Sequence, residues 1–185
     1  SFATEQWLAD QGFCVIVADG PGSPSRPSNE FAIHRDLADP PLAGQVSALD
    51  QVAAEFGDRI DTNRVGIRGW SFGGYLAALA VLERPDLFKA AVAGAPVTDW
   101  ALYDTHYTER YLGTPHTDPE AYAHSSLLGR AAGSVGRPLL LIHGLADDNV
   151  VAAHTLRLSS ALLAAGADHE VLPLSGVTHM TPQEV

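Results

Sequence analysis

The chain has 185 residues, of which 46% are hydrophobic and 18% charged; this is about the length of one domain, and its composition allows a core and excludes wholesale disorder. A single cysteine, Cys14, rules out a disulfide framework and a cysteine-based zinc site. Eleven Lys+Arg against 22 Asp+Glu leave a net charge of −11, which argues against nucleic acid or anionic membrane as a partner, because both are held by basic patches.

In chain order, Ala3 to Gln11 reads as a helix. Phe13 to Asp19 is a near-continuous apolar run that stops at Gly20-Pro21-Gly22 and reads as a strand. Gly20 to Pro41, with Pro21, Pro24 and Pro27, reads as a long surface loop. Gly44 to Phe56 is helical, Arg64 to Trp70 a strand, Phe72 to Glu83 a helix and Lys89 to Ala95 a strand. Val97 to Gly136 reads as irregular and carries Trp100, Tyr103, Tyr107, Tyr111 and Tyr122. Pro138 to His143 is a strand, and Ala152 to Ala165 a helix with Gly166 where a C′ glycine would stop it. The last strand, Glu170 to Leu174, contains Pro173 and so belongs near a sheet edge. Apolar strands separated by helices imply an α/β fold, a mostly parallel sheet with helices on both faces. No apolar run reaches the 18 residues of a membrane span.

Gly69-Trp70-Ser71-Phe72-Gly73 fits Gly-x-Ser-x-Gly. In that pattern a serine sits on a sharp strand-to-helix turn, and small flanking residues let the backbones approach so that its Oγ stands clear of the sheet. A strand runs directly into the motif here and a helix directly out of it. The helix N-terminus puts partial positive charge and the Phe72 N–H beside any oxyanion formed at Ser71.

A serine hydroxyl needs a base, and the base needs a carboxylate to orient it. Asp147 and Asp148 lie just past the fourth strand, and His179 lies in a short loop past the fifth. Serine, acid and histidine thus follow in the α/β-hydrolase chain order, all at the strand-end edge where parallel sheets gather their sites. His143 ends a strand and is expected to serve the structure. His34, His106, His116, His124, His154 and His169 are expected to be exposed. No pair of histidines has metal-ligand spacing, and Gly20-Pro21-Gly22 lacks the Lys and helix of a phosphate loop, so no metal and no cofactor are expected.

Gly69 to Tyr75 resembles the catalytic domain of the prolyl oligopeptidase family. His143 to Val150 resembles the acid loop of its dipeptidyl peptidase IV-like branch, and Thr98 to Gly113 its specificity-pocket segment almost residue for residue. Asp19 to Arg26 resembles a loop usually written Asp-x-Arg-Gly-Ser-x-x-Arg, but Pro21 replaces the first Arg, and no role is assigned to it. The resemblance implies Ser71 as nucleophile, His179 as base and Asp147, ahead of Asp148, as the orienting acid. It implies Phe72, where relatives often carry Tyr, as an oxyanion donor. Val97, Trp100, Tyr103, Tyr107 and Val150 would line the pocket for the residue before the scissile bond, and Asn149 would hold a substrate carbonyl. Flat aromatic faces suit a pyrrolidine ring.

The function implied is a serine peptidase that releases dipeptides with proline or alanine penultimate. The alternatives are an acylaminoacyl-peptidase or esterase on the same fold, and a degenerate domain that only binds. The resemblance also implies a β-propeller partner domain supplying the carboxylates for a substrate N-terminus, and it is compatible with a homodimer. A second oxyanion donor, a Tyr hydroxyl, is expected upstream. Cys14, unpaired on a strand read as buried, is compatible with a reducing, cytoplasmic compartment. Such sheets begin with strands not seen here, and the chain opens without Met. It is therefore expected to be an excerpt, with a gap one strand wide between Phe13–Asp19 and Arg64–Trp70.

Overall fold

The computed structural model of the chain describes residues 2–23, 27–133 and 136–180. Its sheet has four strands, β1 (Val65–Trp70), β2 (Phe88–Gly94), β3 (Leu139–Gly144) and β4 (Glu170–Leu174). They are all parallel and lie side by side in the order β1-β2-β3-β4. Parallel neighbours need a long crossover. Helix α4 (Phe72–Glu83) supplies the first, α5 (Thr105–Leu112) and α6 (Pro119–Ser125) lie in the second, and α7 (Ala153–Ala164) makes the third. Three helices precede the sheet: α1 (Phe2–Asp10), α2 (Pro27–Phe31) and α3 (Asp39–Phe56). With every strand running the same way, the loops after β1, β3 and β4 emerge at one edge.

The core forms around α4, which is buried from Gly74 to Leu82 except at Leu76 and packs on β1 and β2. Glycines set these distances. A Cβ on Gly74 would collide with the carbonyl of Gly94, and one on Gly94 would enter the Trp70 ring. Leu139 and Leu141 of β3, with Leu158 and Leu162 of α7, extend the same core.

Several sequence expectations are corrected. Phe13–Asp19 forms no strand: it has no ladder partner among the described residues, and Phe13, Ile16, Val17 and Cys14 are exposed. The premise of a buried Cys14 falls with it. With no strand at Phe13–Asp19, the expected gap between two strands has only one edge, β1. Gly20 to Pro41 is not all loop, since α2 lies within it and α3 starts at Asp39, five residues earlier than Gly44. Pro40 and Pro41 fall in the first turn of α3, where a proline's missing N–H costs nothing. Ser25 and Arg26 of the Asp19–Arg26 loop, with Pro24, lie outside the described residues. Val97 to Gly136 is not irregular either: it holds a 3₁₀ turn at Trp100–Leu102, α5, α6 and a second 3₁₀ turn at Ala131–Gly133.

Candidate active site

Ser71 sits between β1 and α4 with φ 58° and ψ −120°, a left-handed conformation that costs a non-glycine residue on the order of 1–3 kcal/mol. The surroundings enforce it. Its N–H donates to the Gly94 carbonyl at 2.9 Å, and its carbonyl accepts the Tyr75 N–H at 2.9 Å. The turn closes tightly because Gly69 has no Cβ, which would otherwise strike the backbone of Gly73. The Phe72 N–H is among the first of α4, and such N–H groups have no partner within a helix.

The acid loop after β3 carries Asp147, whose side chain is 0% exposed. Its Oδ1 accepts the backbone N–H groups of Asn149 and Val150 at 2.9 Å each, and its Oδ2 lies 2.8 Å from His179 Nδ1. The carboxylate can only accept, so Nδ1 donates and His179 Nε2 is left free to take a proton. Asp148, the rival acid, is exposed.

His179 itself is held by its backbone. The Trp70 indole N–H, one residue before Ser71, donates to the His179 carbonyl at 2.8 Å. The loop carrying it also rides over the end of β3, where Gly144 leaves room for the carbonyls of Val177 and Thr178. Serine turn and histidine loop are thereby fastened together.

The aromatic groups after β2 form one cluster. Trp100 is 1% exposed, with ring centroids 6.0 Å from Phe72, 5.3 Å from Tyr75, 5.8 Å from Tyr103 and 6.0 Å from Tyr107. The placement is encoded locally: Asp99 caps the Trp100 turn through the Ala101 N–H, and Asp104 caps α5 through the Tyr107 N–H. The Tyr103 hydroxyl donates to Asn149 Oδ1 at 3.0 Å, tying this cluster to the acid loop. Val97 and Val150 are buried in the same core. Burial, with Tyr111 and Tyr103 alongside, pushes the Tyr107 phenol up to about 12. Burial raises Tyr103 as well, so both side chains stay neutral hydroxyls near neutral pH.

A sequence profile described as the prolyl oligopeptidase family matches residues 1–184. The chain belongs to that family. Among curated members, the chain is 42% identical over 167 residues to human dipeptidyl peptidase 8, covering 89% of this chain and 18% of that protein. It is 35% identical over 172 residues to human prolyl endopeptidase FAP, covering 91% and 22%, and 38% identical over 163 residues to pig dipeptidyl peptidase 4, covering 85% and 21%. A crystal structure assigned as a dipeptidyl aminopeptidase IV of Bacteroides ovatus superposes with a TM-score of 0.84 at 34% identity, over 88% of this chain and 23% of that one. The sheet and its helices are thus an α/β-hydrolase fold, and the chain spans about a fifth of the length of the curated relatives it matches.

Within this family frame, Ser71, Asp147 and His179 stand at one sheet edge. Phe72, Trp100, Tyr103, Tyr107, Asn149, Val97 and Val150 surround the aromatic cluster and the acid loop. Sequence reasoning gave no site role to three contributors. Tyr75 packs its ring edge on Trp100 and donates its hydroxyl to the Ser125 carbonyl at 2.9 Å. Tyr111 packs 5.0 Å from Tyr107 and reaches Glu30 with its hydroxyl at 3.1 Å. Thr155 meets the buried His143 at 2.6 Å. Tyr75 and Tyr111 could have been found as aromatics four residues from Ser71 and Tyr107, one helical turn away. Of the histidines expected to be exposed, His154 is instead fully buried, with its Nδ1 accepting the Thr98 N–H at 3.1 Å. That burial lowers its pKa to about 4. His34, His106, His116 and His124 are exposed as expected, and His169 is half-buried.

Proposed function

We propose that the chain carries the catalytic triad of a serine peptidase that releases N-terminal dipeptides with proline or alanine penultimate. The observation that supports this most is the 2.8 Å contact between His179 Nδ1 and Asp147 Oδ2, on a loop fastened to the Ser71 turn by Trp70. In this reading the Ser71 Oγ attacks the scissile carbonyl and His179 Nε2 takes its proton. The Phe72 N–H stabilises the oxyanion. As the C–N bond breaks, His179 returns the proton to the leaving amine, leaving the peptide acyl group esterified to Ser71. Water, deprotonated by the same nitrogen, then hydrolyses the ester. Trp100, Tyr103 and Tyr107 offer uncharged flat faces for a pyrrolidine or methyl side chain, and Asn149 holds a substrate carbonyl. The names of the relatives, three of the four being dipeptidyl peptidases or a dipeptidyl aminopeptidase, point the same way. On the same reading residues 1–185 are part of a larger hydrolase domain. A β-propeller elsewhere in the protein supplies the carboxylates that hold the substrate ammonium.

The test is hydrolysis of Gly-Pro-p-nitroanilide by the intact protein and by its Ser71→Ala variant. Loss of turnover in the variant and refusal of N-acetylated Gly-Pro-p-nitroanilide support the reading. Turnover by the variant refutes the nucleophile, and preference for the acetylated substrate or for p-nitrophenyl acetate refutes the dipeptidase specificity.

A further inference from the structure

His143 stands at the end of β3, 2% exposed, with both ring nitrogens engaged. Nε2 lies 2.7 Å from the Val150 carbonyl, and Nδ1 lies 2.6 Å from Thr155 Oγ1 on α7. A carbonyl can only accept, so Nε2 bears the proton. In the neutral ring Nδ1 then accepts a hydrogen bond donated by the Thr155 hydroxyl. Val150 is therefore held at both of its backbone groups, its N–H by Asp147 Oδ1 at 2.9 Å and its carbonyl by His143. Through that residue the acid loop closes on itself, from β3 to Val150 and back to Asp147. The same Nε2 is 3.6 Å from Asp147 Oδ2, the oxygen that receives His179. That distance is beyond a good hydrogen bond, so His143 acts on Val150 and leaves Oδ2 to His179.

We propose that His143, fixed by Thr155, is a positioning residue: it clamps Val150 and so aims Asp147 Oδ2 at His179. This rests on the peptidase reading above. Among the described residues, Asp147 lies 3.6 Å from the His143 ring with His179 on its Oδ2, and His154 of α7 interacts electrostatically with the ring. Arg157 and Asp99 lie further out and pair with each other at 3.2 Å. A histidine that merely filled the core would also need both nitrogens satisfied, but it would not need its partner to lie on the catalytic carboxylate's own loop. Its loss would lower stability and leave the chemistry of each folded site alone.

The experiment measures kcat and KM for Gly-Pro-p-nitroanilide across pH in the intact protein. Rates are taken per site titrated with a fluorophosphonate, for His143→Leu, His143→Gln, Thr155→Val and Thr155→Ser. His143→Leu is expected to lose about tenfold or more in kcat, the scale of one buried hydrogen bond, with KM little changed. Its acid limb is expected to move to lower pH, because a carboxylate aimed less well stabilises the imidazolium less. His143→Gln, whose amide N–H can reach the Val150 carbonyl, recovers part of the loss. Thr155→Val falls in the same direction, and Thr155→Ser restores the wild-type profile. Wild-type kcat and acid limb per titrated site in His143→Leu would overturn the proposal even if the protein melts earlier. Should His143→Leu fail to fold, an unchanged profile in Thr155→Val overturns it equally. Ser71→Ala is run alongside: turnover there sinks the peptidase reading and this proposal with it. An inactive Ser71→Ala beside an unperturbed His143→Leu sinks this proposal alone.

Discussion

Replacing Asp147 by Asn tests the triad at the member for which the sequence offers two candidates. Asp147 takes three donors, the Asn149 and Val150 N–H groups on Oδ1 at 2.9 Å each and His179 Nδ1 on Oδ2 at 2.8 Å. An asparagine can keep its oxygen on the two loop N–H groups, so the loop retains its shape. Its amide nitrogen then faces His179 where the second carboxylate oxygen was. Two donors cannot share that contact, so the imidazole moves its proton to Nε2, the nitrogen that has to receive the serine proton. The negative charge that would stabilise the imidazolium is lost at the same time. Together these are expected to lower kcat about 10⁴-fold, about 5 kcal/mol of barrier. Asp148→Asn alters an exposed side chain and is expected to stay within about twofold of wild type. The assay is kcat on Gly-Pro-p-nitroanilide with the intact protein, with circular dichroism to show that each variant is folded. A folded Asp147→Asn keeping more than about a tenth of wild-type kcat, or a larger loss in Asp148→Asn, would refute the assignment.

Two further predictions concern stability and are read by denaturant unfolding of the intact protein. Gly74→Ala forces a methyl into the Gly94 carbonyl and is expected to cost about 3 kcal/mol or more, since neither backbone can yield. Gly73→Ala meets open space on the same helix and is expected to stabilise by up to about 1 kcal/mol; equal effects at the two positions would refute the close-approach argument. His154, buried and neutral with a pKa near 4, binds its proton more readily in the unfolded chain, whose histidine value is about 6.5. Its contribution is therefore fully present above about pH 6.5 and is lost as pH falls toward 4, on the order of 3 kcal/mol across the window. His154→Gln is expected to flatten stability against pH there, and an unchanged slope would sink this account.

The sequence by itself determined most of the sheet and offered the proposed triad's serine and histidine with two adjacent candidate acids. Val65–Trp70, Phe88–Gly94, Leu139–Gly144 and Glu170–Leu174 were legible within a residue or so, because each is a short, largely apolar run bounded by turn residues. Ser71, the Asp147–Asp148 pair and His179 stood out as candidates because a strand-end loop is short and its chemistry-bearing residue types few. Phe13–Asp19 misled for a physical reason: an apolar run has the composition of a strand, but it becomes one only when a neighbour takes its N–H and carbonyl groups, and none does so here among the described residues. The helices between Val97 and Gly136 were missed because they are only 8 and 7 residues long, too short for a periodic apolar stripe to stand out.

Only the tertiary structure distinguishes Asp147, buried and in contact with His179, from the exposed Asp148. Adjacent carboxylates look alike in sequence, and burial with three converging donors distinguishes one from the other. It also turned His154 from an exposed residue into a buried one and gave His143 its two partners, since no local pattern records which side chains a distant helix brings up against a strand end.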